Sequence, residues 1–325
     1  MSRKRSARTA APVALLLALL LVALMPVPAG AGHHVAWLIH YDRQVPELPE
    51  GIAVDKPGNV FVGLDVPGQI RKITPGGDES VFYDFGVAGV LGLAVDAPGR
   101  VYAGLATFDP QTQGVYRVSR DGAMAERLPG TEALTFPHAL AFDKRGNLYV
   151  TDSIWGAIWR IPRGGSAEVW LQDRALVGTG EIPVIPFPVG ANGIAYRQGN
   201  LFVANTEKAH ILRIPVLKDG SSGVPETVAA GPELFPLDGI GLDVHGNIYA
   251  LVIAQSKLVR VTPEGAITTL ATAGDDLDFP ASPAFGTGKG ERQTVFVTNY
   301  AIGPPGGPGP GVLMVDVGVP GLPSP

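Results

Sequence analysis

The sequence predicts an all-β, six-bladed β-propeller, and three observations carry that prediction. A two-strand phrase recurs six times, glycine and proline are too frequent for long helices, and one strand-like segment near the N-terminus belongs to no repeat.

The first thirty residues stand apart. Arg3, Lys4, Arg5 and Arg8 precede an apolar run from Val13 to Met25, followed by Pro26, Pro28 and the small residues Ala29-Gly30-Ala31. That order is the order of a secretory signal peptide. The apolar run is shorter than the roughly 20 residues of a membrane-spanning helix. Residues 1–31 are therefore expected to direct export to a secreted, periplasmic or cell-envelope location, with a retained anchor as the alternative. Residues 32–318 are expected to form the propeller, and 319–325 a loose tail.

The orphan strand comes next, at Val35-Ala36-Trp37-Leu38-Ile39-His40. The repeats follow it. Glu50-Gly51-Ile52-Ala53-Val54-Asp55 leads through a Gly turn to Gly58-Asn59-Val60-Phe61-Val62, and the same phrase begins again at Leu91, His138, Asn192 and Asp238, with a degraded copy near Ser282. Successive starts lie 41, 47, 54, 46 and 44 residues apart. Each unit continues into a third strand with a basic residue between apolar ones (Lys72, Arg117, Arg160, Arg213, Arg260) and then into a short fourth strand. Four short strands per unit make a propeller blade. The sixth copy has only three, so Val35–His40 is expected to supply the fourth, closing the ring and covering a vulnerable edge. The repeated basic residues read as outer-strand positions whose aliphatic stems cover apolar surface.

Composition narrows the function. Forty-three Gly and 30 Pro among 325 residues, with 46% hydrophobic residues, fit a turn-rich chain with ample core material. A net charge of −5 gives no electrostatic case for nucleic acid, and the absence of cysteine excludes disulfides, thiolate metal sites and a cysteine nucleophile. The partner expected is a small-molecule substrate.

The innermost strand of each blade runs along the channel, so its first residue points at one mouth. The six heads read Glu50, Leu91, His138, Asn192, Asp238 and Ser282. Carboxylates converging on one axis repel unless a cation neutralises them. Oxygen donors with two negative charges suit a divalent hard ion, Ca2+ first, at Glu50, Asn192 and Asp238. The competing reading is that Asn, Asp and Glu before Gly are turn residues. His138 shares the ring and is a candidate general base together with Asp238. The loops from second to third strands add Asp109, Asp152, Trp155, Asn205, Glu207, Asn299 and Tyr300 to the same face. Asp152, Asn205 and Trp155 are taken as candidate substrate contacts; hydrogen bonding at strand ends is the other reading of Asp152, Asn205 and Asn299. The longest inter-blade segment, about Asp173 to Gly190, contains Ile182-Pro183-Val184-Ile185-Pro186-Phe187-Pro188, an apolar lid, a substrate wall or an ordinary insertion.

These heads resemble the family of gluconolactonase, senescence marker protein and luciferin-regenerating enzyme. The resemblance rests on Glu50-Gly51 in blade one, Asn192-Gly193 in blade four and Asp238-Gly239 in blade five, followed by Gly246-Asn247-Ile248-Tyr249. It implies that Glu50, Asn192 and Asp238 bind a divalent ion, usually calcium, above the channel. In blade three the family has Asn-Asp where this chain has His138-Ala139. The Gly-Asn-Leu-Tyr-Val phrases are shared with NHL-repeat propellers. The function expected is a metal-dependent hydrolase, a lactonase or esterase, in which the ion polarises a carbonyl and Asp238 or His138 activates water. The alternatives are an NHL-like propeller that binds a peptide, glycan or protein without catalysis, and a strictosidine-synthase-like propeller with a catalytic Glu. No G-x-S-x-G elbow is present, which disfavours a serine hydrolase.

Overall fold

The protein is described by a computed structural model covering residues 33–183, 185–303 and 305–322. The export segment expected at residues 1–31 lies outside the described residues. Six four-stranded antiparallel sheets follow one another along the chain, each with its first strand innermost, and they form the six blades expected from the repeats. The inner strands are Pro49–Val54, Val90–Val95, Pro137–Phe142, Ala191–Arg197, Leu237–Leu242 and Pro280–Phe285.

The recurring Asp and Gly-Asn of the phrase build the turn between first and second strands. Asp55, Asp143 and Asp243 each accept the backbone N–H and the side-chain amide of the Asn four residues later. Asp96 does the same for Arg100. The preceding glycine adopts a left-handed conformation at each of these turns, with φ between 83° and 96° at Gly58, Gly99, Gly146 and Gly246, which a side chain would strain.

Six buried apolar clusters fill the six seams between neighbouring blades. The seam between blades six and one joins Phe296 and Val312 to Ile52, Val62 and Leu64. Val35–His40 pairs antiparallel with Gly311–Asp316, the third strand of blade six, and so supplies its fourth strand. Outside the seams, the basic residues of the third strands meet acids across the fourth: Arg117 with Glu126, Arg160 with Glu168, and Arg213 with Glu226. They lie on the blade periphery, far in the sheet order from the inner strands.

Two expectations need correction. The sixth head is Ala281, not Ser282. Every inner strand carries a register shift just after its first residue, and by that register Pro280 is equivalent to Pro49, so Ala281 stands where Glu50 stands and Ser282 where Gly51 stands. The tail expected at 319–325 is not loose as far as it is described. Val244 N–H donates to Pro320 C=O, Leu322 N–H donates to Leu242 C=O, and the Leu322 side chain packs on the seam between blades four and five. Residues 323–325 lie outside the described residues.

Candidate active site at the channel mouth

The shared bulge is what aims the heads. It breaks the pairing of the inner strand after its first residue in all six blades and re-aims the next side chain, a use to which bulges beside active sites are commonly put. The following position must then be small, because the inner strands crowd together at the axis. A Cβ on Gly51 would sit 2.1 Å from Leu91 O, and one on Gly92 2.1 Å from His138 O. The Glu-Gly, Asn-Gly and Asp-Gly pairs are therefore one device: a functional side chain followed by a residue that lets the neighbouring blade approach.

Glu50, His138, Asn192 and Asp238 are brought together and buried, each between 3% and 8% exposed. Glu50, His138 and Asp238 offer one ligand atom each, all within 4.8 Å of one another. His138 Nε2 lies 3.0 Å from Glu50 Oε1 and 3.9 Å from Asp238 Oδ1. Asn192 Nδ2 donates to Thr206 Oγ1 at 3.0 Å. Glu50 Oε2 and Asp238 Oδ1 are buried with no hydrogen-bond partner.

The histidine tautomer follows from its neighbour. Ser153 Oγ donates its single hydrogen to Ala191 O at 2.6 Å, so it accepts from His138 Nδ1, 2.9 Å away. Nδ1 therefore carries a hydrogen, and Nε2 is the atom turned on the carboxylates. Nε2 either holds a proton donated to Glu50 or offers a lone pair. Burial opposes charge on the ring, but the Glu50 hydrogen bond and the charges of Glu50, Asp238 and Asp65 outweigh it and raise the His138 pKa above the ordinary histidine value. Burial, reinforced by the Glu50 charge, pushes the Asp238 carboxyl up to about 8.

Two orphaned carboxylate oxygens and a turned-in imidazole nitrogen form a set of donors that fits a divalent cation. Oxygens from Glu50, Asp238 and the Asn192 amide suit calcium, while the nitrogen suits a transition metal better. Without a cation Asp238 holds its proton across the neutral range, and a cation must displace it. Divalent-cation affinity is thus expected to rise about 50-fold from pH 6 to pH 8, which calorimetric titration at the two pH values checks. Affinity independent of pH would remove Asp238 from the ligand set.

A second ring stands behind the heads. The first residue after each second strand donates its N–H to the residue just before the inner strand, as in Asp65 to Leu48, Ser153 to Phe136, Thr206 to Gly190 and Tyr300 to Phe279. Ser153 and Thr206 hold His138 and Asn192. Tyr300 donates its hydroxyl to Asp65. The carboxyl of Asp65 is raised by burial and feels Glu50 and His138; the Tyr300 hydroxyl is raised well above its ordinary value by burial and then by Asp65. Both therefore sit at the edge of the same centre.

The residues chosen from the sequence as substrate contacts fall one position short of this ring. Asp152 accepts the N–H groups of Thr135, Phe136 and Trp155. Asn205 donates to Ala175 O and Val177 O and accepts from Lys208 N–H, and Asn299 binds Asp276 O and Asp278 N–H. All three are fully buried and tie down the chain that leads into each inner strand. Trp155 is 38% exposed and lies against Trp159 on the third strand of its own blade, outward of the heads. Successive side chains on a strand point to opposite faces, so an offset of one residue separates a tie from a residue of the centre. The signal was available in the repeat alignment, where Asp65, Ser153, Thr206 and Tyr300 share one column.

No family model matches the chain, and no curated protein matches it. Solved structures do. A candidate gluconolactonase superposes with a TM-score of 0.70 at 17% identity over 90% of this chain and 95% of that one. Luciferin-regenerating enzyme gives 0.67 at 14% identity, over 90% and 98%. A calcium-binding regucalcin from Agrobacterium tumefaciens gives 0.64 at 16%, over 90% and 94%. The fold is the propeller architecture that these structures share. These are the proteins to which the repeat heads pointed, and at such identities the likeness establishes the architecture.

Proposed function

We propose that the protein is an exported, divalent-cation-dependent hydrolase of the lactonase or esterase type, acting on a small molecule at this channel mouth. The single observation that carries the proposal is the buried cluster of Glu50, His138 and Asp238 with two unpartnered carboxylate oxygens, an arrangement too costly for a scaffold that does not use it. The gluconolactonase and regucalcin likenesses support the same reading.

Glu50, Asn192 and Asp238 are the residues that would hold the cation, with the His138 Nε2 beside it and left free as the base. A divalent ion bound there supplies Lewis-acid polarisation of a carbonyl oxygen. The chain's own part is proton handling. Ser153 fixes the ring so that Nε2 faces the reacting centre, and Glu50 stabilises the charge that Nε2 gains. Water adds to the lactone carbonyl carbon as its proton passes to Nε2, and the same proton goes to the ring oxygen as the acyl carbon–oxygen bond breaks. The product is the open hydroxy acid.

The test is a panel of lactones and esters assayed with added calcium, manganese or zinc, on the wild-type protein and on His138→Asn. Removing a general base is expected to lower kcat by about 10²-fold or more, with bound-metal content unchanged. Unaltered turnover would reduce His138 to a positioning residue and leave Asp238 as the base. No turnover of any member by the wild type would favour a binding propeller.

A further inference from the structure

Three phenylalanines form a cluster that reaches the candidate site through Phe136. Phe108 comes from the loop after the second strand of blade two, Phe136 directly precedes the inner strand of blade three, and Phe187 comes from the long insertion before blade four. Their ring centroids lie 5.5 Å (Phe108–Phe136), 5.6 Å (Phe108–Phe187) and 5.5 Å (Phe136–Phe187) apart. Phe136 in turn meets the His138 ring edge to face at 5.6 Å. The cluster is thus continuous with the reacting centre.

Its exposure is not a by-product of packing. Phe108 is 59% exposed, with a left-handed φ of 57°. A bulky residue there is strained, and strain of this kind persists only where the surroundings enforce it. They do. The buried Gln113 side chain accepts the Phe108 N–H at 3.0 Å while its amide donates to Leu134 O. Phe136 is held on both sides, its N–H on Asp152 and its C=O on Ser153 N–H. Glu207 anchors the insertion through the N–H groups of Thr179 and Gly180. The fold therefore holds three aromatic rings together beside the polar floor, Phe108 largely in water, Phe136 and Phe187 half-buried, with Phe136 against the His138 ring.

We propose that Phe108, Phe136 and Phe187 form an apolar recognition wall, and that the substrate is a lactone carrying an alkyl chain rather than a polyhydroxylated sugar lactone. The proposal rests on the hydrolase reading above and names its substrate class. The carbonyl meets the polar floor, and the chain lies along the rings, where each methylene fully removed from water is worth roughly a fourfold gain in binding. Asp152 and Glu207 then act as positioning residues for the wall.

The experiment compares γ-butyrolactone, γ-decanolactone and D-glucono-δ-lactone by kcat/KM. It also measures binding of two lactams that resist hydrolysis, pyrrolidin-2-one and 5-hexylpyrrolidin-2-one, by calorimetry. γ-Decanolactone is expected to exceed both other lactones by about 10-fold or more. Phe108→Ala and Phe187→Ala, truncations of an exposed and a half-buried ring, are expected to reduce the decanolactone-to-butyrolactone ratio about 10-fold, with Phe108→Leu recovering part of it. The hexyl lactam should bind more tightly than the parent lactam, and the two alanine variants should lose that difference. Hydrolysis with equal kcat/KM for the three lactones, or a ratio unmoved by both alanine variants, overturns the wall and leaves the hydrolase standing. Chain-length-dependent lactam binding without hydrolysis of any lactone upholds the wall and overturns the hydrolase. Neither hydrolysis nor a lactam preference overturns both.

Discussion

Asp238→Asn is expected to abolish the thermal shift produced by divalent cations and to lower lactone hydrolysis by at least about 10²-fold. A cation at 100 times its dissociation constant stabilises the native state by about 2.7 kcal/mol. For a propeller of this size that corresponds to roughly 4–5 °C in Tm. The variant keeps the volume of Asp238 but lacks the second negative charge that a divalent cation requires beside Glu50. Its cation-free behaviour separates a functional role from a structural one. In the folded wild type, burial and Glu50 push the Asp238 carboxyl up to about 8, whereas the unfolded chain releases that proton near pH 4. Between those values the folded state binds more protons than the unfolded state, so this group makes cation-free stability fall as pH rises. The substituted amide cannot titrate, so the cation-free variant should be as stable as the wild type or more so, and should lose that decline. Differential scanning fluorimetry from pH 5 to 8, with and without chelator, reads all of this. A cation-free variant that melts well below the wild type would mark Asp238 as a structural residue.

Deleting residues 33–42 is expected to make the protein aggregate. The deletion takes the fourth strand from blade six and leaves Gly311–Asp316 as an unpaired edge. It also removes Val35, Trp37, Leu38, Ile39 and the buried Tyr41 from two seams and breaks the bond from Trp37 Nε1 to Asp276. Loss of the four partly buried apolar side chains alone, before Tyr41 is counted, amounts to about 4–6 kcal/mol, comparable with the entire net stability of many domains, about 5–15 kcal/mol. Size-exclusion chromatography with light scattering measures the outcome. A monomeric deletion product with unchanged Tm would mean that the ring does not depend on the N-terminal strand for closure.

Much of the architecture was legible in the repeats. The phrase that joins Glu50-Gly51 to Asp55 and Gly58-Asn59 encodes local chemistry at every step: alternation for two strands, an Asp that accepts from the Asn four residues on, and a glycine for a left-handed turn. Such signals act over a few residues, so they survive in the linear chain. Counting the units then required the ring to close on the orphan strand Val35–His40. The convergence of Glu50, His138, Asn192 and Asp238 was legible for the same reason, since equivalent positions in a ring of equivalent units face one axis.

What the sequence could not settle is which side each neighbouring residue takes and what comes near it from other blades. The sixth head is Ala281 and not Ser282, because the pairing register across the bulge decides the phase, and the degraded repeat does not display that register. Asp152 and Asn205 tie backbone rather than face the centre, while Ser153 and Thr206, one residue later, hold His138 and Asn192. Strand parity places each pair on opposite faces, and only the tertiary pairing says which face is which. The wall of Phe108, Phe136 and Phe187 was beyond any local signal: its members lie on three loops distant in sequence, and contact between them exists only after blades two, three and four have packed side by side. The sequence by itself determined the strands, turns and count of blades, because these depend on interactions over a few residues. The tertiary structure alone decided the proton position on His138, the orphaned oxygens of Glu50 and Asp238 and the aromatic wall, because each is a property of groups that different blades bring together.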